Sequence, residues 1–245
     1  MKSTLFGILV LITISGCASY TTPGGPAVIS ELASADINAL MKKQPAASFP
    51  ARIAVVRVQA PGYQSFERQG YGQGRYSVVL AREVESDDAF SRLASLDGVA
   101  GVGNLNRLLL PTRLDSVESL REAAARLRAD ILLLYTFDTS FRAGEQRLLP
   151  LNTVALGFLK NKTVTVTTTA SAAMFDVRTE FLYGLAEATA QEDKRASVWG
   201  QASTVDDLRV STERAAFGSL VEEIEKSWNG VVREHAYSAQ VNSIH

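Results

Sequence analysis

The only cysteine of the 245-residue chain, Cys17, has the surroundings that most clearly indicate a chemical role. It follows Lys2, an apolar run over residues 5–14 and two small residues. A positive start, a short apolar segment and small residues before the cut are the layout of a cleavable export signal. The apolar run is well short of the roughly 20 residues that a membrane-spanning helix needs. The sequence therefore predicts an exported protein.

The residues around the cysteine resemble the bacterial lipobox, the recognition sequence for lipoprotein processing: Ile14, Ser15, Gly16 and Cys17. The resemblance implies that residues 1–16 are removed as a signal peptide and that the Cys17 thiol carries acyl chains such as palmitate. Ala18 stands where enteric sorting signals place Asp to retain a lipoprotein in the inner membrane. The implied location is therefore the outer membrane, with the protein anchored by lipid and facing the periplasm.

Other residue types that usually carry catalysis or bind metals are scarce. The two histidines, His235 and His245, lie near the end of the chain, and the sequence has neither an HExxH nor a G-x-S-x-G motif. We therefore predict no catalytic residues, no metal site and no cofactor. The formal net charge is −1 and no basic cluster stands out, so nucleic acid is not an expected partner.

Carboxylates are the remaining candidates for chemistry, and an envelope polysaccharide hydrolase that uses a pair of them is one alternative function. Their spacing selects no pair. The candidates are Asp138, Glu145, Asp176, Glu180, Glu187 and Glu192.

A glycine-rich run, Gly70, Gly72 and Gly74, could in principle approach a phosphate with its backbone N–H groups. A dinucleotide fingerprint needs G-x-G-x-x-G between a strand and a helix. This run is G-x-G-x-G and leads into a predicted strand, so we interpret it as a flexible connection.

The elements that would position these residues follow from hydrophobic periodicity and turn signals. Residues 17–30 are rich in Thr, Pro and Gly and are predicted to be a flexible tether after the lipidated residue, while residues 31–245 are predicted to be a single α/β domain with a polar C-terminal tail. Helices are predicted over 31–44, 87–96, 116–127 and 205–234, and strands over 52–58, 75–85, 99–110, 130–137 and 196–201.

A long β-hairpin is the most regular predicted feature. Residues 163–174 alternate Val, Ala and Met with Thr and Ser, which is the period of a strand with one buried face. A turn over 176–180 leads to a returning strand over 181–191. Such a hairpin could also insert into a bilayer, so an oligomeric secretion pore is a second alternative function.

The helix-to-strand segment with Ala124, Leu127, Ala129 and Asp130, and the D-x-x-T turn that begins at Asp176, resemble a pattern in envelope lipoproteins. That group includes the curli-secretion protein CsgG, the penicillin-binding-protein activator LpoB and the N-terminal domain of TolB. The chain has Arg128 and Glu180 where the group commonly has Gly.

The pattern implies an α/β (α+β) fold, in which helices, including a long C-terminal helix, pack on a mixed sheet with a long hairpin. We expect a non-enzymatic binding or assembly module that contacts an envelope protein or assembles with itself, held to the membrane by its N-terminal lipid.

Overall fold

The computed structural model describes residues 19–32, 36–80, 82–151, 153–156, 163–195 and 202–236. The strands are β1 Ser19–Thr21, β2 Ala51–Gln59, β3 Gln73–Gly74, β4 Ser77–Val79, β5 Val99–Asn104, β6 Arg113–Leu114, β7 Ile131–Ala143, β8 Gln146–Leu148, β9 Thr153–Ala155, β10 Thr163–Asp176 and β11 Leu182–Arg195. The helices are α1 Ile29–Leu32, α2 Ile37–Lys42, α3 Asp87–Ala94, α4 Val117–Arg126 and α5 Ala202–Val231, and a π-helical turn, Val232–Ala236, follows α5.

Several predicted features lie outside the described residues. They are the lipidation residue Cys17, the signal residues Ile14, Ser15 and Gly16, the strand over 196–201, and His245.

A mixed sheet forms the centre of the fold, with strand order β11-β10-β7-β2-β4. The strands β2 and β7 are parallel, whereas β10 is antiparallel to both β7 and β11. The strand β5 pairs with the first part of β2, and β8 pairs with the end of β7. This arrangement confirms the predicted mixed sheet and long hairpin.

Helices cover the two faces of the sheet unequally. Because successive side chains of a strand point to opposite faces, the apolar positions Val164, Val166, Ala170, Ala172 and Met174 of β10 all face one way and are buried. On that face α5 packs a stripe that includes Phe217, Leu220, Ile224 and Trp228. The shorter helix α4 covers only the turn end of the opposite face, with Leu120, Ala123 and Ala124.

The strand predicted over 75–85 is much shorter in the structure, where β4 ends at Val79. The carboxylate of Glu85 accepts hydrogen bonds from the backbone N–H groups of Glu83 and Val84, at 3.2 and 3.3 Å. The chain that makes these contacts is no longer paired with the sheet. The strand predicted over 99–110 likewise ends at Asn104, and the side chain of Asn106 accepts from the N–H of Leu108 at the start of a 3₁₀ turn.

The N-terminal segment also differs from the prediction. Part of the predicted tether packs on the domain, since β1 pairs with β9 and the Tyr20 side chain is 2% exposed. The helix predicted over 31–44 is represented by the short helices α1 and α2, and the apolar residues of α2 that were expected to be buried are exposed. The periodicity was right for a helix but wrong about its burial, because an open groove lies between α2 and the hairpin.

Two turns adopt a left-handed backbone at positions where the envelope-lipoprotein pattern has Gly. Arg128 has φ 56° and Glu180 has φ 60°. Arg128 follows the last turn of α4, and the N–H groups of Arg128 and Ala129 donate to the carbonyls of Ala125 and Ala124, as in a Schellman motif. Glycine is favoured in such turns because a Cβ atom is strained there, so Arg128 and Glu180 each hold a backbone conformation that is costly for their residue type.

Candidate binding surface

An apolar groove lies between the turn end of the β10–β11 hairpin and the N-terminal helices. Its volume is about 570 Å³, which is within the usual range of ligand-binding pockets. Ala173 and Phe175 of β10 line it on the face opposite α5. The remaining apolar lining includes Ile29, Leu40, Leu182 and Leu185.

Large apolar side chains on both sides of the groove remain in contact with solvent. On β11, Leu185 is 66% exposed and Leu182 is 43% exposed, and Leu40 on the facing helix α2 is 39% exposed. Single exposed leucines are common on protein surfaces, but a contiguous exposed apolar patch indicates an interaction site. The position of these residues around one groove therefore marks a candidate binding surface.

The helix α2 extends this patch. It has six residues, none of which is buried, and its outward side chains Ile37 and Met41 are 73% and 79% exposed. Asp36 caps its first turn by accepting from the N–H groups of Asn38 and Ala39. So short a helix gains little stability alone. We call Ile37, Leu40, Met41, Leu182 and Leu185, together with the groove that Leu40, Leu182 and Leu185 line, the apolar surface.

The turn carboxylate Asp176 holds one wall of the groove in place. It is 0% exposed and accepts hydrogen bonds from the backbone N–H of Ala46 (2.6 Å), Arg178 (2.8 Å) and Thr179 (3.0 Å) and from the Tyr183 hydroxyl (2.9 Å). Burial acts to raise the pKa of Asp176, but these hydrogen bonds outweigh it and the pKa is lowered. The ionised carboxylate thus ties the segment after α2 to the hairpin turn.

The other candidate carboxylates have separate surroundings. Glu180 pairs with Arg121 at 3.0 Å and with Lys43 at 3.3 Å, at the edge of the groove. Glu187 accepts from Ser171, and Glu192 accepts from Ser211. Asp138 and Glu145 are exposed on β7 and the turn after it. The contacts of Glu180, Glu187 and Glu192 are those of side chains that stabilise a turn or the surface of a strand.

His235 and the glycine run also have contacts that are explained by packing. The His235 ring lies 5.2 Å from the Tyr183 ring and 6.0 Å from the Phe181 ring. In the glycine run, a Cβ atom on Gly72 would come within 2.3 Å of the Leu114 side chain, and Gly74 has φ +123°. The run therefore needs glycine to pack against β6.

The sequence patterns did not reveal a cluster of charged groups buried between α5 and the sheet. Its members are Arg57, Glu83, Glu85, Asp206, Arg209 and Glu213, which we call the ion cluster. Each member is part of at least one ion pair within the described residues.

Arg209 of α5 is the centre of the ion cluster. Its guanidinium donates to both carboxylate oxygens of Asp206, at 2.7 and 3.0 Å, to Glu213 at 2.8 Å and to Glu83 at 2.5 Å. The residue is 0% exposed. Burial acts to lower the pKa of Arg209, but Glu213 and Asp206 raise it, so the side chain stays charged.

Arg57 joins the ion cluster from β2. Its guanidinium lies 4.5 Å from the centre of the Phe137 ring, and its Nη2 atom donates to the Tyr63 hydroxyl at 3.1 Å and to Glu213 at 3.5 Å. The Tyr135 hydroxyl donates to Glu85 at 2.9 Å. Burial, and then the Glu85 charge, raise the pKa of Tyr135 well above its ordinary value.

The cluster is poorly placed for substrate binding. A cavity of about 50 Å³ reaches Arg57, Glu85 and Tyr135, whereas small-molecule sites usually exceed roughly 300 Å³. Its contacts join α5 to β2, β7 and the segment before α3. We therefore assign the ion cluster to positioning α5, and the apolar surface is the candidate for binding.

No metal-binding group of three or more His, Cys, Asp or Glu side chains occurs among the described residues. Within the same ranges of the chain, none of the helices combines the length and the hydropathy required to cross a bilayer.

Comparisons with known proteins give distant structural neighbours, two of which are described here. No protein-family model matches the sequence, and no curated protein matches it significantly. The lipoprotein GNA1162 from Neisseria meningitidis has a TM-score of 0.29 and 14% identity, over 66% of this chain and 99% of its own. The hypothetical protein CT253 from Chlamydia trachomatis has a TM-score of 0.31 and 12% identity, over 74% of this chain and 96% of its own. Likeness at this level carries no argument about the fold, the activity or the partners of this chain.

Proposed function

We propose that this protein is a lipid-anchored lipoprotein of the bacterial outer membrane that acts in the periplasm as a non-enzymatic binding or assembly module. The apolar surface is its binding site. The observation that carries the proposal is the exposure of Leu40, Leu182 and Leu185 around one groove.

The chemistry of the groove favours an apolar protein segment as its occupant. The lining residues are largely aliphatic or aromatic, and the ion pair of Lys43 with Glu180 lies at its edge. A buried apolar centre with a polar rim is the usual anatomy of a protein–protein interface. The segment could come from another envelope protein or from a second copy of the chain.

The two alternative functions receive less support from the geometry. The apolar face of the hairpin, which a pore would expose to lipid, packs against α5 in this structure. The carboxylates that a hydrolase would use include Asp176 and Glu180, and both are engaged in turn and ion-pair contacts.

A co-purification experiment tests the binding proposal. Full-length protein is isolated from solubilised membranes as wild type, as Leu185→Thr and as the control Leu108→Thr, in which the changed leucine is 90% exposed on the 3₁₀ turn and not part of the apolar surface. We expect a bound protein, or a second tagged copy, to be lost with Leu185→Thr and retained with Leu108→Thr. Equal recovery with all three proteins would contradict the proposal.

The anchor is tested separately by labelling cells with a fatty acid that reports on lipidation. Label should enter the wild-type protein and should be absent from Cys17→Ser. Persistence of label in Cys17→Ser would show that the lipid is attached to another residue.

A further inference from the structure

A second exposed apolar patch lies beside β1, at the end of the sheet farthest from the groove. Its side chains are Phe66, which is 49% exposed, Leu149, which is 64% exposed, and Leu151, which is 49% exposed. They come from two loops that are distant in sequence. We call these three residues the β1-end patch.

Contacts with the N-terminal segment bring these loops together. The Phe66 ring lies 6.3 Å from the ring of Tyr20. The Thr22 hydroxyl donates to the carbonyl of Leu149 at 2.7 Å, and the N–H of Leu151 donates to the carbonyl of Thr22 at 3.1 Å. The three apolar side chains therefore border the strand with which the described chain begins.

The position of Cys17 in the sequence sets how far this patch can be from the membrane. Only two peptide steps separate Cys17 from Ser19, the first residue of β1. A fully extended chain covers at most about 7 Å in two steps. An acylated cysteine places its chains in the bilayer, so lipidation would hold Ser19 next to the lipid headgroups.

The strand itself is fixed to the domain and cannot act as a long spacer. The Tyr20 side chain is 2% exposed, its ring lies 5.9 Å from Phe141, and its hydroxyl donates to Asp206 at 2.9 Å. Residues 19–21 also pair with β9. The whole β1 end of the domain must then lie near the bilayer surface.

We infer that the β1-end patch contacts the lipid bilayer and fixes the orientation of the domain on it. The inference rests on the lipidation of Cys17 in the proposed function, but it concerns a different surface and a different partner. Apolar and aromatic side chains at a membrane interface gain free energy by burial among the headgroups and upper acyl chains.

The charged residues nearest to the patch in the sequence indicate what kind of lipid contact to expect. Glu67 and Arg68 follow Phe66, and Glu145 and Arg147 lie near Leu149 in the sequence. The signs balance, so the contact depends on apolar side chains and not on attraction to anionic lipids. Vesicles of zwitterionic lipid alone should therefore support it.

This orientation places the groove away from the bilayer. Leu182 pairs with Phe175, and Phe175 pairs with Leu132 of β7, whereas Tyr20 contacts Phe141, nine positions further along the same strand. At about 3.3 Å per residue, the two ends are roughly 30 Å apart. The lipid contact would thus present the apolar surface to proteins in the periplasm.

Tryptophan fluorescence in vesicles tests the inference. Lipidated full-length protein carrying Phe66→Trp or, in a second variant, Leu151→Trp is reconstituted into zwitterionic vesicles with brominated acyl chains, which quench tryptophan on contact. The matched control is Leu182→Trp at the groove, and the signal of the unchanged protein, which has two tryptophans, is subtracted. Mass spectrometry first verifies the acyl chains on Cys17, and unfolding curves verify that each variant folds.

We expect loss of emission for Trp at positions 66 and 151 and none at position 182. Absence of quenching at positions 66 and 151 would overturn the inference and leave the binding proposal standing, whereas quenching at position 182 that equals or exceeds theirs would overturn both. A blue shift at position 66 without quenching would show that a protein surface covers the patch, which would also overturn it. Absence of acyl chains on Cys17 would overturn both the anchor and the inference.

Discussion

The ion cluster and the apolar surface reverse the usual distribution of residues in a globular protein. The six ionisable side chains of the ion cluster lie between α5 and the sheet, and Arg57, Arg209 and Glu213 are at most 2% exposed. In the apolar surface, by contrast, Leu185 and Met41 are 66% and 79% exposed. Charged groups are rarely buried unless they are paired, and large apolar patches rarely stay exposed without a partner. The comparison teaches that the charges of the first region are paired within the chain, whereas the apolar side chains of the second are not covered by it.

Because its charges are buried and paired, a change in the ion cluster should lower the free energy of unfolding more than any other change considered below. Replacement Arg209→Leu leaves Asp206 and Glu83 without a guanidinium partner and Glu213 with Arg57 alone, and breaking buried ion pairs in this way costs about 3–5 kcal/mol. We expect the free energy of unfolding, measured with urea, to fall by that amount. The control is Lys226→Leu, because Lys226 and Glu223 form an exposed pair on the same helix. A loss below about 1 kcal/mol for Arg209→Leu, as expected for surface pairs, would show that the cluster is not needed to hold α5.

Asp176 connects the folded core to the wall of the groove and should have the next largest effect. Asp176→Asn removes the charge that accepts three backbone N–H groups and a tyrosine hydroxyl, and we expect a loss of about 1–3 kcal/mol at neutral pH.

The pH dependence of this effect has a definite sign. Because the pKa of Asp176 is lowered in the folded protein, its contribution is present above the unfolded pKa of about 3.9 and is lost as the pH falls through the folded pKa. The difference between wild type and Asp176→Asn in urea unfolding should therefore shrink below about pH 4. A difference that stayed constant down to lower pH would contradict the role of the ionised carboxylate.

Replacement of Arg128 by glycine offers a gain in stability, because the backbone at this position is left-handed. Arg128→Gly should stabilise the protein by up to about 1 kcal/mol, because the left-handed backbone after α4 strains any residue with a Cβ atom. Glu180→Gly relieves the same strain but removes the ion pairs with Arg121 and Lys43, so it should gain less. The midpoint of thermal unfolding ranks the two variants, and a larger gain for Glu180→Gly would refute this ranking.

The smallest effect on folding is expected at the apolar surface. Leu185→Thr should change the free energy of unfolding by no more than about 0.5 kcal/mol, because an exposed side chain on an edge strand contributes little to the core. Urea unfolding of this variant beside Arg209→Leu sharpens the comparison. A loss of several kcal/mol would mean that Leu185 packs in the domain and is not held for a partner.

The regular elements of the fold could be predicted because their patterns are local. The alternation of residues 163–174 repeats within one strand, which is β10 in the structure. The stripe of Phe217, Leu220 and Ile224 repeats within one helix, which is α5. The helix over 31–44 was less predictable, since its apolar stripe indicated burial while the structure leaves Leu40 at the groove.

The ion cluster could not be predicted because its contacts join distant parts of the chain. Arg57 stands between the apolar residues Val56 and Val58, and its partner Glu213 is 156 positions away. One signal was present: Asp206, Arg209 and Glu213 continue the same helical stripe as Phe217 and Leu220. Charged residues on a buried stripe indicate either a wrong helix boundary or a paired cluster, and the structure shows the second.

The most direct test of the binding surface is photo-crosslinking in intact cells with a photoreactive amino acid at position 185, compared with the same amino acid at position 108. Both replaced leucines are exposed, but only Leu185 borders the groove. We predict a discrete crosslinked species at position 185, either with another envelope protein or with a second copy, and none at position 108. The absence of a discrete species at position 185, or the same species at both positions, would contradict the assignment of the apolar surface as the binding site.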